Sequence, residues 1–227
     1  MRFTTIVPVI ACVCLLAAAE ENAPAPQKVE TQTILDQTEN LRPEVLELAF
    51  EAYRQAEMDG QVRRPVLTIV DYELPSFEKR LWVIDMQDGR VLHKEWVAHG
   101  MGIPRGSGGN MEEALSFSNR KGTCKSSLGL FLTAEIYYGR HGYSLKLDGL
   151  EPGVNHVARA RLIVLHGADY VSSDRVECHL IGRSWGCPAV RPEIATELID
   201  AIKDGSVLWI YYPDAAWLEG SEFLDDD

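Results

Sequence analysis

Between residues 66 and 212 the apolar side chains come in short β-branched or aromatic runs, each cut off by glycine, proline or an Asp-Gly pair. Runs this short do not give a helix a continuous buried stripe, but they suit strands whose side chains alternate between two faces. Strands are therefore predicted at 66–70, 81–86 and 90–98, near 129–136, 143–147 and 162–166, and at 207–212, where Pro213 ends the run. Asp88-Gly89 between the second and third is a hairpin signal, because a two-residue loop of this type matches the twist of its flanking strands. Two segments carry the helical period instead. Val45, Leu46, Leu48, Ala49, Tyr53 and Ala56 share one face of 43–56, with Gly60 as the stop. A second helix over 192–203 starts at Pro192, a favoured first helical position, and stops at Gly205. The expected architecture is a mostly β sandwich or flattened barrel with a few peripheral helices and no internal repeat.

With 227 residues the chain is long enough for one well-buried domain. Its net charge of −12 argues against a nucleic-acid partner, since phosphate backbones select basic surfaces. The glycine-rich stretch 100–109 has no Gly-Lys-Ser/Thr after it, so it is not a phosphate cradle and is expected to be a mobile loop. Met1-Arg2, the apolar stretch 3–16 and Ala17-Ala18-Ala19 read as a secretory signal cleaved before Glu20. That places the mature protein in the periplasm or cell envelope, with no stable membrane span, because the stretch is too short to cross a bilayer. An alternative treats Val9-Ile10-Ala11-Cys12 as a lipid-attachment box. Residues 20–40 are expected to form a flexible tether, 41–60 an N-terminal helix, 61–213 the main domain and 214–227 an acidic tail. A monomer is expected.

Loss of Cys12 and Cys14 with the signal leaves Cys124, Cys178 and Cys187. An odd thiol in an oxidising compartment points to a free reactive group, whether or not Cys124 and Cys178 pair. The strand over 162–166 ends in His166-Gly167, and Cys187 follows in the turn Gly182-Arg183-Ser184-Trp185-Gly186-Cys187-Pro188. A thiol attacks as thiolate, and a neighbouring imidazole is the commonest means of making one. Here the histidine precedes the cysteine, which excludes papain-like peptidases, and the Thr-Leu-x-Thr-Cys strand of sortases is absent. His166, Cys178, His179 and Cys187 are also zinc-ligand types. Adjacent residues on a strand face opposite ways, however, and no structural-zinc spacing is present, so no metal and no cofactor are expected.

The His-Gly strand end and the Ser184-Trp185-Gly186-Cys187 turn resemble the catalytic domain of the murein L,D-transpeptidases. That family ends a strand in His-Gly and carries its nucleophile in a Ser/Thr-His-Gly-Cys turn. Ser127-x-Gly129-x-Phe131 is similar to the family's Thr-Pro-x-Gly-x-Phe strand. Trp185 stands where a second histidine is usual, and Ala189 where Arg or Asn is usual, with Arg191 displaced further on. The resemblance implies Cys187 as nucleophile and His166 as base, acting through a thioester on peptidoglycan stem peptides, with a tetrapeptide donor and an amine acceptor. Water as acceptor makes the same residues a carboxypeptidase. A wall-binding module with Cys187 in a disulfide is the non-catalytic alternative.

The residues themselves suggest supporting roles. The N–H groups of Gly186 and Cys187 are candidates for an oxyanion hole, and the Gly167 carbonyl for orienting the base. Ser184 is expected to hydrogen-bond within the turn. Arg183 and Arg191 are candidates to receive substrate carboxylates, Trp185 to lie beside the site and His99 to touch substrate from the edge of the glycine loop. His93, His141, His156 and His179 are expected to be surface or packing residues.

Overall fold

Residues 29–224 are described by the structure, a computed structural model. The expected signal segment with Cys12 and Cys14, the first part of the expected tether and residues 225–227 lie outside the described residues. Eight strands, β1 (Val66–Asp71), β2 (Leu81–Asp85), β3 (Val91–Glu95), β4 (Gly129–Gly139), β5 (Gly142–Gly149), β6 (Val164–Gly167), β7 (Ala189–Val190) and β8 (Val207–Tyr211), form one sheet. Its order is β3-β2-β1-β8-β4-β5-β6-β7. The pairs β1/β8 and β6/β7 are parallel and the other neighbours antiparallel.

The two ends of that order meet. Just past β3, Ala98 forms an antiparallel bridge to Ala189 of β7, donating its N–H to the Ala189 carbonyl at 2.8 Å. The sheet thereby closes into a flattened barrel, the mostly β architecture that the short apolar runs imply. β1 and β8 run through its centre, and every residue of both is buried.

Five short helices lie around the sheet: α1 (Thr31–Leu35), α2 (Pro43–Met58), α3 (Ser173–Glu177), α4 (Pro192–Ile202) and α5 (Ala215–Leu218). α2 buries Val45, Leu46, Ala49, Phe50, Ala52, Tyr53 and Ala56 and packs on β1 and β8. It is part of the core rather than a segment ahead of it. α4 covers the back of β6, where glycine permits the approach: a Cβ on Gly167 would sit 3.0 Å from the Ala195 Cβ and 3.2 Å from the Pro192 Cα.

Two expectations about the termini are corrected. Residues 29–40 are not a free tether. Ile34 of α1 is fully buried, and Gln37 bonds both sides of the β2–β3 hairpin, donating to the Gly89 carbonyl at 3.0 Å and accepting from the Val91 N–H at 3.1 Å. One apolar anchor in a polar segment leaves no period to read. Nor is 214–224 a solvated tail. Trp217 packs against Trp209 with centroids 5.0 Å apart and planes inclined by 39°, and donates its indole N–H to Glu151 at 2.9 Å, while Phe223 is buried. Two buried aromatics outweigh the acidic composition of the segment, because each removes a large apolar area from water.

Candidate active site

The candidate base is held on a strand. His166 lies in β6 between Ser144 of β5 and Ala189 of β7, and only 1% of its surface is exposed. Its Nδ1 lies 2.8 Å from the Gly167 carbonyl oxygen. A carbonyl only accepts, so Nδ1 carries the ring proton and Nε2 keeps its lone pair. Burial holds the imidazole below its usual pKa; the Gly167 bond opposes this, and His141 adds to it.

The candidate nucleophile, Cys187, sits in a turn that only particular residues can close. Gly186 has φ +112°, and a Cβ there would lie 2.6 Å from the Lys125 carbonyl oxygen. Ser184 bridges the turn, donating from Oγ to the Cys187 carbonyl at 2.6 Å and accepting the Gly186 N–H at 3.0 Å. The start of the glycine loop is stitched to this turn: the Met101 N–H donates to the Ser184 carbonyl at 2.9 Å, and the Ser184 N–H donates to the His99 carbonyl at 2.8 Å. A Cβ on Gly100 would fall 2.5 Å from the Cys124 carbonyl oxygen and 2.8 Å from the Gly186 Cα. Glycine density here marks close backbone approach.

Cys187 is half-buried, and its thiol donates weakly to the Leu162 carbonyl at 3.6 Å. Burial pushes the thiol pKa up, while the Val164 N–H and the Arg161 guanidinium pull it back in part. Cys187 and His166 line one cavity of about 520 Å³, with Cys124, Tyr137, His141 and Arg161 among its walls. His141 comes from the two-residue connection between β4 and β5. Its ring stacks on His166 with centroids 4.1 Å apart and planes inclined by 19°.

The structure brings some of the sequence-derived residues together and separates others. Ser184, Arg183 and Trp185 line the cavity, and Trp185 is 68% exposed there. Arg183 also donates to the Gly109 carbonyl. The Gly186 N–H is taken by Ser184, which removes it from the expected oxyanion pair. Arg191 is spent elsewhere: Nε and Nη2 each reach a Glu95 oxygen at 2.8 Å. His99 is buried away from the cavity. Arg80, which can only donate, lies 3.0 Å from its Nδ1, so the Nε2–H donates to the Asn110 carbonyl at 3.1 Å. Burial and the Arg80 charge push the His99 pKa down to about 3. Cys124 lies on the cavity wall, Cys178 is exposed after α3, and both are free thiols alongside Cys187.

His141, Arg161 and Cys124 were not selected from sequence. For His141 a signal existed, since Arg140-His141 lies between Gly139 and Gly142 in the short connection between two predicted strands. Arg161 and Cys124 carry no comparable local pattern.

This site sits in a recognisable family. A model of the L,D-transpeptidase catalytic domain matches residues 37–211, and the chain belongs to that family. Among solved structures, an L,D-transpeptidase from Mycobacterium smegmatis is 14% identical with a TM-score of 0.38, the match covering 65% of this chain and 59% of that one. An L,D-transpeptidase from Xylanimonas cellulosilytica DSM 15894 is 17% identical with a TM-score of 0.38, covering 83% of this chain and 100% of that one. The chain thus spans about three fifths of the length of the mycobacterial structure. No curated protein matches it significantly. Among the described residues no helix is long and apolar enough to cross a membrane.

Proposed function

We propose that the protein is an exported L,D-transpeptidase that cleaves the amide before the terminal D-Ala of a peptidoglycan tetrapeptide stem and passes the acyl group to an amine. The observation that carries this reading is a free thiol and an imidazole, its Nε2 unprotonated, lining one cavity.

The resting pair is neutral, because burial disfavours both thiolate and imidazolium. Reaction starts when the thiol turns from the Leu162 carbonyl toward Nε2 and gives up its proton as Sγ attacks the carbonyl carbon. The Cys187 N–H is the donor left to meet the developing oxyanion, since Ser184 occupies that of Gly186. The C–N bond breaks, D-Ala leaves as an amine with the proton from Nε2, and a thioester remains. An acceptor amine then gives a proton to Nε2 and attacks the thioester, and the released Sγ takes the proton back. His141 holds the base in the plane set by the Gly167 carbonyl.

The test is intact-mass spectrometry of the protein mixed with a disaccharide-tetrapeptide, beside Cys187→Ala. An adduct equal to the donor minus D-Ala, absent from the variant, supports the reading. No adduct and no D-Ala release from a folded, reduced protein overturns it in favour of a wall-binding role. Release of D-Ala without transfer to an added amine identifies water as the acceptor.

A further inference from the structure

On a chain of net charge −12, the cavity around Cys187 reverses sign. Its lining includes Lys121, Arg140, Arg161 and Arg183 and neither an aspartate nor a glutamate. Several cations elsewhere on the molecule find carboxylates. Arg42 pairs with Asp71, Arg159 with Glu135 and Asp148, and Arg191 with Glu95. None of the four cavity cations forms an ion pair with a carboxylate among the described residues.

Arg161 is the most telling of them. It is half-buried, and its guanidinium donates only to neutral acceptors: the Ser118 carbonyl, Ser127 Oγ at 2.5 Å, the Lys125 carbonyl at 2.6 Å and Thr123 Oγ1 at 3.5 Å. Desolvation pulls its pKa down. A buried cation whose partners are all neutral gains most from an anion brought to its open side. The Cys187 thiolate offers one only fleetingly, because acylation converts it into a neutral thioester.

The four cations also surround the nucleophile from separate parts of the chain. Lys121 lies on the loop that leads to Cys124, Arg140 at the hairpin tip beside His141, Arg161 ahead of β6 and Arg183 within the nucleophile turn. Four cations supplied by four separate segments offer contacts to more than one carboxylate, and a ligand charged at both ends of the scissile amide brings two.

We infer that this cavity selects acyl donors bearing a free carboxylate on each side of the scissile amide, and so discriminates against stems in which those carboxyls are amidated. The inference rests on the transpeptidase reading for the identity of the bond. In a tetrapeptide stem the leaving D-Ala supplies one carboxylate and the glutamyl residue the other. Guanidinium groups match carboxylates with paired hydrogen bonds and lose that match against a carboxamide, which itself carries donors.

The experiment uses the full chain carrying Cys187→Ala, titrated calorimetrically with four tetrapeptide stems. These have both carboxyls free, the glutamyl residue as isoglutamine, the terminus as D-alaninamide, or both amides. Each amide is expected to raise Kd by about tenfold, the scale of one lost charge-assisted contact. Arg140→Gln in the same background, a change at an exposed hairpin tip, is expected to weaken the free-acid peptide about tenfold and leave the doubly amidated peptide unmoved. Equal affinity for all four stems overturns the inference. Acylation of the Cys187 protein by the same stems separates the two claims. Equal binding with acylation sinks the charge selection and keeps the transpeptidase reading. Charge-graded binding without acylation keeps the selection and sinks the reaction.

Discussion

The barrel contains two parallel strand pairs that differ in length and in the residues they carry. At its centre, β1 and β8 share a five-residue register, Leu67 opposite Val207 through Asp71 opposite Tyr211, and every position is buried. At its seam, β6 and β7 share two positions, His166 opposite Ala189 and Gly167 opposite Val190. The first pair is held by apolar area removed from water, a force that is non-directional. The second buries apolar side chains too, Leu165 and Val190 among them, but its short register is also set by close backbone approach and by bonds within the adjoining Cys187 turn, which are directional and short-ranged. The long central pair therefore carries more of the stability and the short seam carries the candidate reacting groups, so damage to the centre should spare turnover per folded molecule.

The sharpest break of that comparison lies at the seam. Cys187→Ser and His166→Ala should each lower D-Ala release by at least about 10⁴-fold, the scale seen when a nucleophile or its base is removed, while circular dichroism shows a folded protein. Gly186→Ala comes next. A Cβ there meets the Lys125 carbonyl at a left-handed φ, so turnover should fall about 10²-fold because the thiol is displaced. The accompanying loss of stability, read by urea unfolding, should be about 1–3 kcal/mol.

His141 tests how far the site reaches beyond its two reacting groups. His141→Ala should lower kcat about tenfold with KM nearly unchanged, and His141→Phe, which keeps a stacking ring, should recover most of it. Both variants should also move the acid limb of the kcat/KM profile upward. The His141 charge disfavours imidazolium at His166, so removing it lets the base protonate at higher pH. Arg140 shares the tip, and Tyr170, Arg161, Arg183 and Cys187 face the same cavity; these groups are common to all three proteins.

At the centre the expectation inverts. Ile69→Ala should cost about 2–5 kcal/mol of stability through the cavity it leaves, with kcat per folded molecule unchanged. Smallest in effect on turnover is the buried His99. Its pKa lies near 3 in the fold, against an ordinary value of 6.5. The unfolded chain therefore takes up the proton first as pH falls, and stability present above pH 6.5 is lost progressively between about 6.5 and 3. Urea titrations across that range in the wild type and His99→Gln should show the slope in the former and a shallower one in the latter.

The central pair was legible in the sequence because its information is local. Val66 to Val70 and Val207 to Tyr212 are apolar, short and bounded, and α2 shows its buried stripe directly. The seam was legible only at its most distinctive points, the His166-Gly167 strand end and the Cys187 turn. β7 has two residues, too few to show any period. His141 reaches the site across a hairpin, Arg161 by folding under a loop, and the Gly186 N–H is lost to a serine two positions away. Such facts depend on register and approach rather than on residue type. The same reason misplaced Arg191, which stands near Cys187 in sequence but bonds to Glu95 on the other side of the seam.

The bridge that closes the sheet has one further consequence. Ala98 and Ala189 join the two ends of the sheet through one short hydrogen bond, and the residues on either side run directly into the glycine loop and the nucleophile turn. The exchange rate of the Ala98 amide proton is consequently a clock for the parting of those two segments, one that runs in the absence of any substrate. An acylated enzyme that slows this clock holds its seam shut while it waits for the acceptor; one that quickens it admits the second substrate by letting the barrel breathe.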